Sequence, residues 1–101
     1  MIISSGYNIA GPEVEAALMA HPSVSECAVV GIPNEERGSL VKAFVVLRDG
    51  TEENEAMKQT LQDFVKKTIA PYKYPRSIEF RKSLPKTETG KIQRFRLREE
   101  G

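Results

Sequence analysis

Two nearly continuous apolar runs, at residues 26–32 and 41–47, dominate the hydrophobic pattern of the chain. Both runs are short and rich in valine, which favours strands over helices. Neither run alternates strictly between apolar and polar positions, so we expect the sheet that they form to be covered on both faces. The polar segment 33–40 between them predicts an antiparallel pair of strands joined by a long tip.

Helical spacing of apolar residues marks two further segments. Residues 53–69 form an amphipathic pattern whose acidic start and basic end suit the dipole of a helix. A shorter helix is predicted to begin at Gly11 and Pro12, because proline suits the first helical turn. It is predicted to end at His21, which precedes another proline, and we interpret His21 as a helix-end residue.

Three shorter patterns complete the predicted fold. Residues 77–81 alternate apolar and charged positions, which is typical of a half-buried strand. Ile2 and Ile3 indicate a short N-terminal strand that needs a partner, and Ile92 and Phe95 among arginines suggest a short terminal helix. The predicted fold class is α+β, with a small mixed or antiparallel sheet of about three main strands, flanking helices and a short N-terminal strand.

Composition limits the size and compartment of the protein. The 101 residues, of which 40% are hydrophobic, are enough for one small domain with a single modest core. Cys27 is the only cysteine, so the sequence offers neither a disulfide framework nor a thiolate metal site. No apolar run approaches the length of a membrane span and the start lacks a signal-peptide pattern, so we expect a soluble cytoplasmic domain.

The charge is unevenly distributed although the net charge is only +1. Residues 73–98 contain nine basic and two acidic side chains. Such a basic end is a solvated face, a nucleic-acid patch, or a surface for a polyanionic small ligand such as a nucleotide or coenzyme A. Few aromatic residues lie among these cations, which disfavours a surface that stacks bases and hence a nucleic-acid partner.

The segment 85–94 is polar and carries the pair Gly90-Lys91, which predicts a mobile surface loop. Gly90 can adopt a positive φ without steric cost, so Lys91 can extend as a point charge toward a carboxylate or phosphate oxygen. The alternative is a simply solvated lysine. A phosphate-binding P-loop is excluded, because Pro85 replaces its first glycine and Ile92 replaces its Ser or Thr. If Lys91 serves an anion, the rest of that site comes from outside this chain.

Two other positions are candidates for anion contacts. Arg37 stands beside Gly38 in the predicted tip, and it is either screened by Glu35 and Glu36 or free to hold an anion. The segment 70–76 contains two prolines, which should fix an extended path and hold its two tyrosines and two cations on a stiff segment.

Three motifs resemble those of one superfamily. They are SSGYNI with GPEVE at residues 4–15, AVVGIP with RG at residues 28–38, and LPKT with GKI at residues 84–92. Together they resemble the C-terminal domain of the adenylate-forming acyl-CoA synthetases, whose superfamily includes luciferases and nonribosomal peptide adenylation domains. The stretch APYKYPR at residues 70–76 is most similar to the medium-chain and aryl branch.

The resemblance implies that residues 1–101 are a single mobile C-terminal domain and that a large N-terminal domain is absent. In this family the N-terminal domain binds ATP, magnesium and the carboxylic acid, and the small domain supplies a loop lysine, here Lys91. That lysine lowers the charge repulsion between the acyl carboxylate and the α-phosphate. The complete enzyme converts a carboxylic acid, ATP and CoA to acyl-CoA, AMP and pyrophosphate, and this chain alone is expected to be inactive.

The resemblance also implies a second role after the domain rotates. Residues of the first motif match positions that line the pantetheine tunnel, and a second set matches positions that hold the nucleotide end of CoA. These are Ser5, Gly6 and Tyr7 for the tunnel, and Arg37, Lys66, Tyr74, Pro75 and Arg76 for the nucleotide. Two alternatives stay open: a domain that loads a carrier protein, and a non-catalytic module that binds anions or nucleic acid.

Overall fold

The computed structural model describes residues 2–4 and 6–100. The elements in chain order are β1 (Ile2–Ser4), β2 (Tyr7–Ile9), α1 (Gly11–Met19), β3 (Val24–Asn34), β4 (Gly38–Leu47), α2 (Glu55–Thr68), a short 3-10 turn (Pro71–Lys73), β5 (Ser77–Phe80) and α3 (Arg94–Glu100). The α+β prediction is confirmed. Within the described residues, no helix is both long and apolar enough to span a bilayer.

The main sheet is mixed, with the strand order β3-β4-β5. β3 and β4 are antiparallel, with Ala28 opposite Phe44, whereas β4 and β5 are parallel, with Ala43 opposite Ile78. Parallel neighbours need a crossover, which here consists of α2 and the 3-10 turn. β5 therefore lies at the edge of the sheet, as its alternating pattern indicated.

Hydrophobic residues cover both faces of this sheet, as the two continuous apolar runs predicted. On one face α1 and α2 bury Leu18 and Leu61 against the sheet. On the other face Leu97 of α3 packs with Phe44, and both side chains are fully buried. The terminal helix is thus part of the core, since burying a leucine of this size contributes about 1.5–3 kcal/mol.

The N-terminal strand finds its partner within the same segment. β1 pairs antiparallel with β2, with Ile3 opposite Asn8. Ile2 is buried, and a Cβ atom added at Gly31 would lie 3.1 Å from its Cγ2 atom. The hairpin of β1 and β2 therefore packs directly on β3, where a residue with a Cβ atom in place of Gly31 would require the Ile2 side chain to shift by a few tenths of an ångström.

The predicted long tip between β3 and β4 is wrong. The two strands stay paired up to Asn34 and Gly38, so only residues 35–37 form the turn. The Asn34 Oδ1 atom accepts hydrogen bonds from the backbone N–H groups of Glu36 and Arg37, at 3.1 and 3.0 Å. The polar sequence and Pro33 indicated a loop, but β3 is an edge strand, where a proline is tolerated.

Candidate functional site

The segment that carries Lys91 is a closed turn and not the mobile loop that the sequence predicted. The Thr87 N–H donates to the Lys91 carbonyl and the Gly90 N–H donates to the Thr87 carbonyl, both at 2.9 Å. The Lys91 N–H donates to the Thr87 Oγ1 atom at 3.1 Å. Gly90 has a φ of 86°, which confirms its predicted role in the turn.

The base of this turn is fixed on both sides. Lys86 and Ile92 form an antiparallel β-bridge, and the Gln93 N–H donates to the Pro85 carbonyl at 2.8 Å. The Lys86 ammonium also pairs with the carboxylate of Glu26 on β3. The backbone around Lys91 is therefore held at both ends of the turn.

Lys91 itself is exposed at the tip. Among the described residues, no hydrogen bond or ion pair reaches its ammonium group. A tethered cation on a hydrogen-bonded turn, without an internal partner, is able to contact an anion that another molecule or domain presents.

Glu15 also belongs to this site, although the sequence indicated it only as part of the GPEVE motif. Its carboxylate accepts hydrogen bonds from Arg94 Nε at 2.8 Å, from Arg94 Nη2 at 2.5 Å and from the Val29 N–H at 2.8 Å. The hydrogen bond to Glu15 raises the pKa of Arg94 above its ordinary value. The only signal in the sequence was the acidic first helix opposite a basic C-terminal end, which does not identify the pair.

Four of the five predicted nucleotide-binding residues, all except Arg37, lie together around Tyr74. The Lys66 ammonium lies 4.3 Å from the centre of the Tyr74 ring, and the Arg76 guanidinium lies 4.2 Å from it. Arg76 Nη1 also donates to the Tyr74 hydroxyl at 2.5 Å. Pro75 is buried, and its carbonyl accepts a 3.0 Å hydrogen bond from Gln62 of α2. The segment is held by these contacts, but Pro71–Lys73 form a 3-10 turn and not the predicted extended path.

Tyr7 joins this cluster through a ring contact that the sequence did not indicate. Its ring stacks on Tyr72 with a centroid separation of 4.5 Å and an interplanar angle of 27°. Both rings remain exposed, 54% for Tyr7 and 40% for Tyr72. Gly6 beside them has a φ of 83°, and no atom lies within 4 Å of the position of a Cβ there. Ser5, the other predicted tunnel residue, lies outside the described residues.

The 3-10 turn is anchored beside this stack. The Lys73 ammonium pairs with the Glu13 carboxylate of α1 at 2.6 Å. That hydrogen bond raises the pKa of Lys73. The stack of Tyr7 on Tyr72 is therefore connected to the first helix as well as to α2.

Arg37 has a buried Nε atom without a hydrogen-bond partner among the described residues. Within the same part of the chain it forms no ion pair with Glu35 or Glu36, so the predicted screening by these glutamates is not observed. A Cβ added at Gly38 would lie 3.7 Å from the Ile3 carbonyl, so the turn borders β1. A buried guanidinium nitrogen costs free energy unless another group accepts its hydrogen bond.

No group of three or more His, Cys, Asp or Glu side chains in the described ranges 2–4 and 6–100 is arranged to hold a metal ion. The two chemically distinct features are the lysine turn, braced by two ion pairs, and the exposed aromatic and cationic cluster around Tyr7 and Tyr74.

These features belong to a known class of domain. The sequence profile of the family described as the AMP-binding enzyme C-terminal domain matches residues 13–91 of the chain. The chain belongs to this family.

Proteins similar to this chain include acyl-CoA ligases. The uncharacterized acyl--CoA ligase YtcI of Bacillus subtilis is 56% identical over 97% of the chain and 18% of its own length. The mitochondrial acyl-coenzyme A synthetase ACSM4 of Homo sapiens is 56% identical over 99% of the chain and 18% of its own length. The chain thus spans about a fifth of these curated relatives.

Solved structures agree with this assignment. A Brucella canis acyl-CoA synthetase superimposes with a TM-score of 0.96 at 49% identity, over 98% of this chain and 18% of that one. The anthranilate CoA ligase AuaEII, solved with anthranoyl-AMP, gives a TM-score of 0.89 at 44% identity, over 99% of this chain and 19% of that one.

Proposed function

We propose that residues 1–101 act as the single mobile C-terminal domain of an AMP-forming acyl-CoA synthetase. The partner is a large N-terminal domain that binds ATP, Mg²⁺ and the carboxylic acid substrate. The complete protein would form acyl-CoA, AMP and pyrophosphate from the acid, ATP and CoA. The similarity to acyl-CoA synthetases over nearly the whole chain supports this proposal.

Lys91 is the proposed catalytic residue of the first half-reaction. Its exposed ammonium on a closed turn is the observation that carries the proposal. When the acid attacks the α-phosphate of ATP, two anions approach each other and pyrophosphate leaves. A cation between them stabilises the negative charge of the transition state, and a turn fixed in advance needs little reorganisation to supply it.

The first test replaces Lys91→Ala in an enzyme that joins this chain to the N-terminal part of its human relative. We expect the ATP–pyrophosphate exchange rate to fall by about 100-fold or more, because a charge aimed at the transition state is lost. Thioester formation from a supplied acyl adenylate should be largely retained. The matched control is Lys67→Ala, which removes an exposed lysine from α2. Exchange near the wild-type rate in the Lys91 variant would refute the role of this lysine.

Ser5, Gly6 and Tyr7 are proposed to line the path of the pantetheine arm in the second half-reaction. Arg37 is proposed to hold the nucleotide end of CoA together with Lys66, Tyr74, Pro75 and Arg76. The residues fit a polyanion with an aromatic base, since the Nε atom of Arg37 has no partner among the described residues and the half-buried ring of Tyr74 lies beside two cations. CoA supplies the thiol that takes the acyl group.

The second test compares CoA with CoA that lacks its 3′-phosphate. Loss of one charged contact should raise the KM for the thiol substrate about tenfold. Arg37→Gln should raise the KM for CoA itself. The control is Arg96→Gln, which removes an exposed arginine outside the proposed set and should leave that KM unchanged. Equal KM values for the two thiols would instead favour the alternative, a protein-bound pantetheine on a carrier protein.

The proposed N-terminal domain, which binds the carboxylic acid, would determine the acyl substrate. The cytoplasmic location stays a prediction, because the human relative is named as mitochondrial.

A further inference from the structure

Glu15 connects three elements at the foot of the Lys91 turn. It lies on α1, accepts two hydrogen bonds from Arg94 at the start of α3, and accepts a third from the backbone of Val29 on β3. Its side chain is only 13% exposed, against 41% for Arg94. The carboxylate is therefore an internal acceptor with its donors in place, and it is not available to a substrate.

The position of Arg94 makes this contact relevant to Lys91. Arg94 follows Lys91 by three residues, and the only residues between them are Ile92 and Gln93. Those two are themselves tied to the opposite side of the turn through the β-bridge and the hydrogen bond to Pro85. Any displacement of Arg94 is thus transmitted to the lysine through a short, hydrogen-bonded backbone.

The geometry of the pair suits a positional role. A guanidinium that donates two parallel hydrogen bonds to one carboxylate is fixed in direction as well as in distance. The second ion pair of the turn, between Lys86 and Glu26, joins a flexible ammonium to a more exposed carboxylate and fixes direction less well. The contact with Glu15 therefore determines the orientation of the turn relative to α1 and β3.

We propose that Glu15 is a positioning residue for Lys91 and acts through Arg94. The proposal rests on the proposed function, because it assumes that Lys91 serves the adenylation step. Glu15 touches no substrate, and its effect is to hold the turn where the ammonium meets the N-terminal domain. Because thioester formation does not need Lys91, the contribution of Glu15 should be confined to the first half-reaction.

The test uses Glu15→Gln in the same joined enzyme. Glutamine keeps the shape, and its one oxygen can replace Oε2, which accepts from Arg94 Nε and from the Val29 N–H. Its NH2 group cannot accept from Arg94 Nη2, and the negative charge that pairs with the guanidinium is lost. We expect the kcat of ATP–pyrophosphate exchange to fall about ten- to a hundredfold, because a shift of about 1 Å in a reacting group has effects of this size. Thioester formation from a supplied acyl adenylate should stay within about twofold of wild type.

Two further variants separate positioning from general stability. Arg94→Gln should reproduce the loss, and the double variant should be no worse than either single one, because both residues act through one contact. Glu99→Gln, which removes an exposed carboxylate from α3, should leave both half-reactions unchanged.

The possible outcomes distinguish failure of the positioning role from failure of the proposed function. An equal loss in both half-reactions would overturn the proposal, because the pair would then support the whole domain. Normal exchange in Glu15→Gln, while Lys91→Ala is inactive, would also overturn it but would leave the proposed function intact. Normal exchange in Lys91→Ala would show that the proposed function itself is wrong.

Discussion

Cys27 carries a buried thiol on β3, and its Sγ atom lies 3.5 Å from the Glu15 carbonyl oxygen of α1. Burial raises the pKa of this thiol to about 12 from an ordinary value of 9.0, and the nearby Glu15 charge adds to the effect. The folded state thus holds the proton more tightly than the unfolded state. The contribution of the protonated Cys27 thiol to the free energy of unfolding is fully present below about pH 9, and it is lost as the pH rises from 9 towards 12.

Cys27 should therefore resist alkylation in the folded chain. At pH 9 about half of the unfolded thiols are ionised, but only about one in a thousand of the folded ones. We expect iodoacetamide to modify the native protein at least about 100-fold more slowly than the denatured protein, as measured by mass spectrometry. Cys27→Ser is the control for labelling elsewhere. Equal rates in both states would contradict the burial of this thiol.

At this scale the sequence indicates some features of the site and not others. The exposed turn before Lys91 can be predicted because its context is local, a polar segment with a glycine before the lysine, whereas the role of Lys91 was implied only by the family resemblance. Glu15 cannot be predicted, because its partner lies 79 positions away and helix α1 carries another glutamate, Glu13, of the same local character. The stack of Tyr7 on Tyr72 is hidden for the same reason, since it depends on how a hairpin and a 3-10 turn pack together.

The turn around Gly90 depends on one backbone conformation. Gly90 has a φ of 86°, and no atom lies within 4 Å of the position of a Cβ there. A Cβ atom at this position would meet no neighbour, so the free-energy cost of a substitution here comes from the backbone conformation. That cost is about 1–2 kcal/mol for a residue with a Cβ and is greatest for β-branched ones.

Gly90→Val should reduce ATP–pyrophosphate exchange about tenfold, because the strained turn moves the backbone of Lys91. Gly90→Asn should lose less of the exchange activity, since asparagine tolerates a positive φ. Gly50→Val is the matched control, because Gly50 also has a φ of 85° with open space around it but lies in the turn after β4. The expectation fails if both valine variants lose exchange activity to the same extent.

The elements themselves follow closely from their patterns. Residues 26–32 and 41–47 lie within β3 and β4, and the helix predicted over 53–69 is observed at Glu55–Thr68. It begins where Asn54 accepts a 2.8 Å hydrogen bond from the Met57 N–H. The length of the turn between β3 and β4 was not predictable, because polar residues in an edge strand resemble a loop until the pairing is known.

At the scale of the molecule, α1 connects the two chemical features. Glu13 reaches Lys73 beside the aromatic cluster, and Glu15 reaches Arg94 at the lysine turn. Residues two positions apart on a helix point about 200° apart, so the carboxylates serve different sides of the domain. The order of the helices and strands could be predicted from the sequence. The two ion pairs of α1 could not, because their partners come close to the helix only in the folded chain.

The spacing of the two carboxylates has a consequence for protein engineering. A single inserted residue between Glu13 and Glu15 would rotate one of them by about 100° and shift it by about 1.5 Å along the axis. One of the two attachments would then be lost, whatever residue is inserted. Chimeras of related ligases should therefore keep the number of residues within Gly11–Met19 unchanged, because an insertion or deletion there would break one of the two attachments.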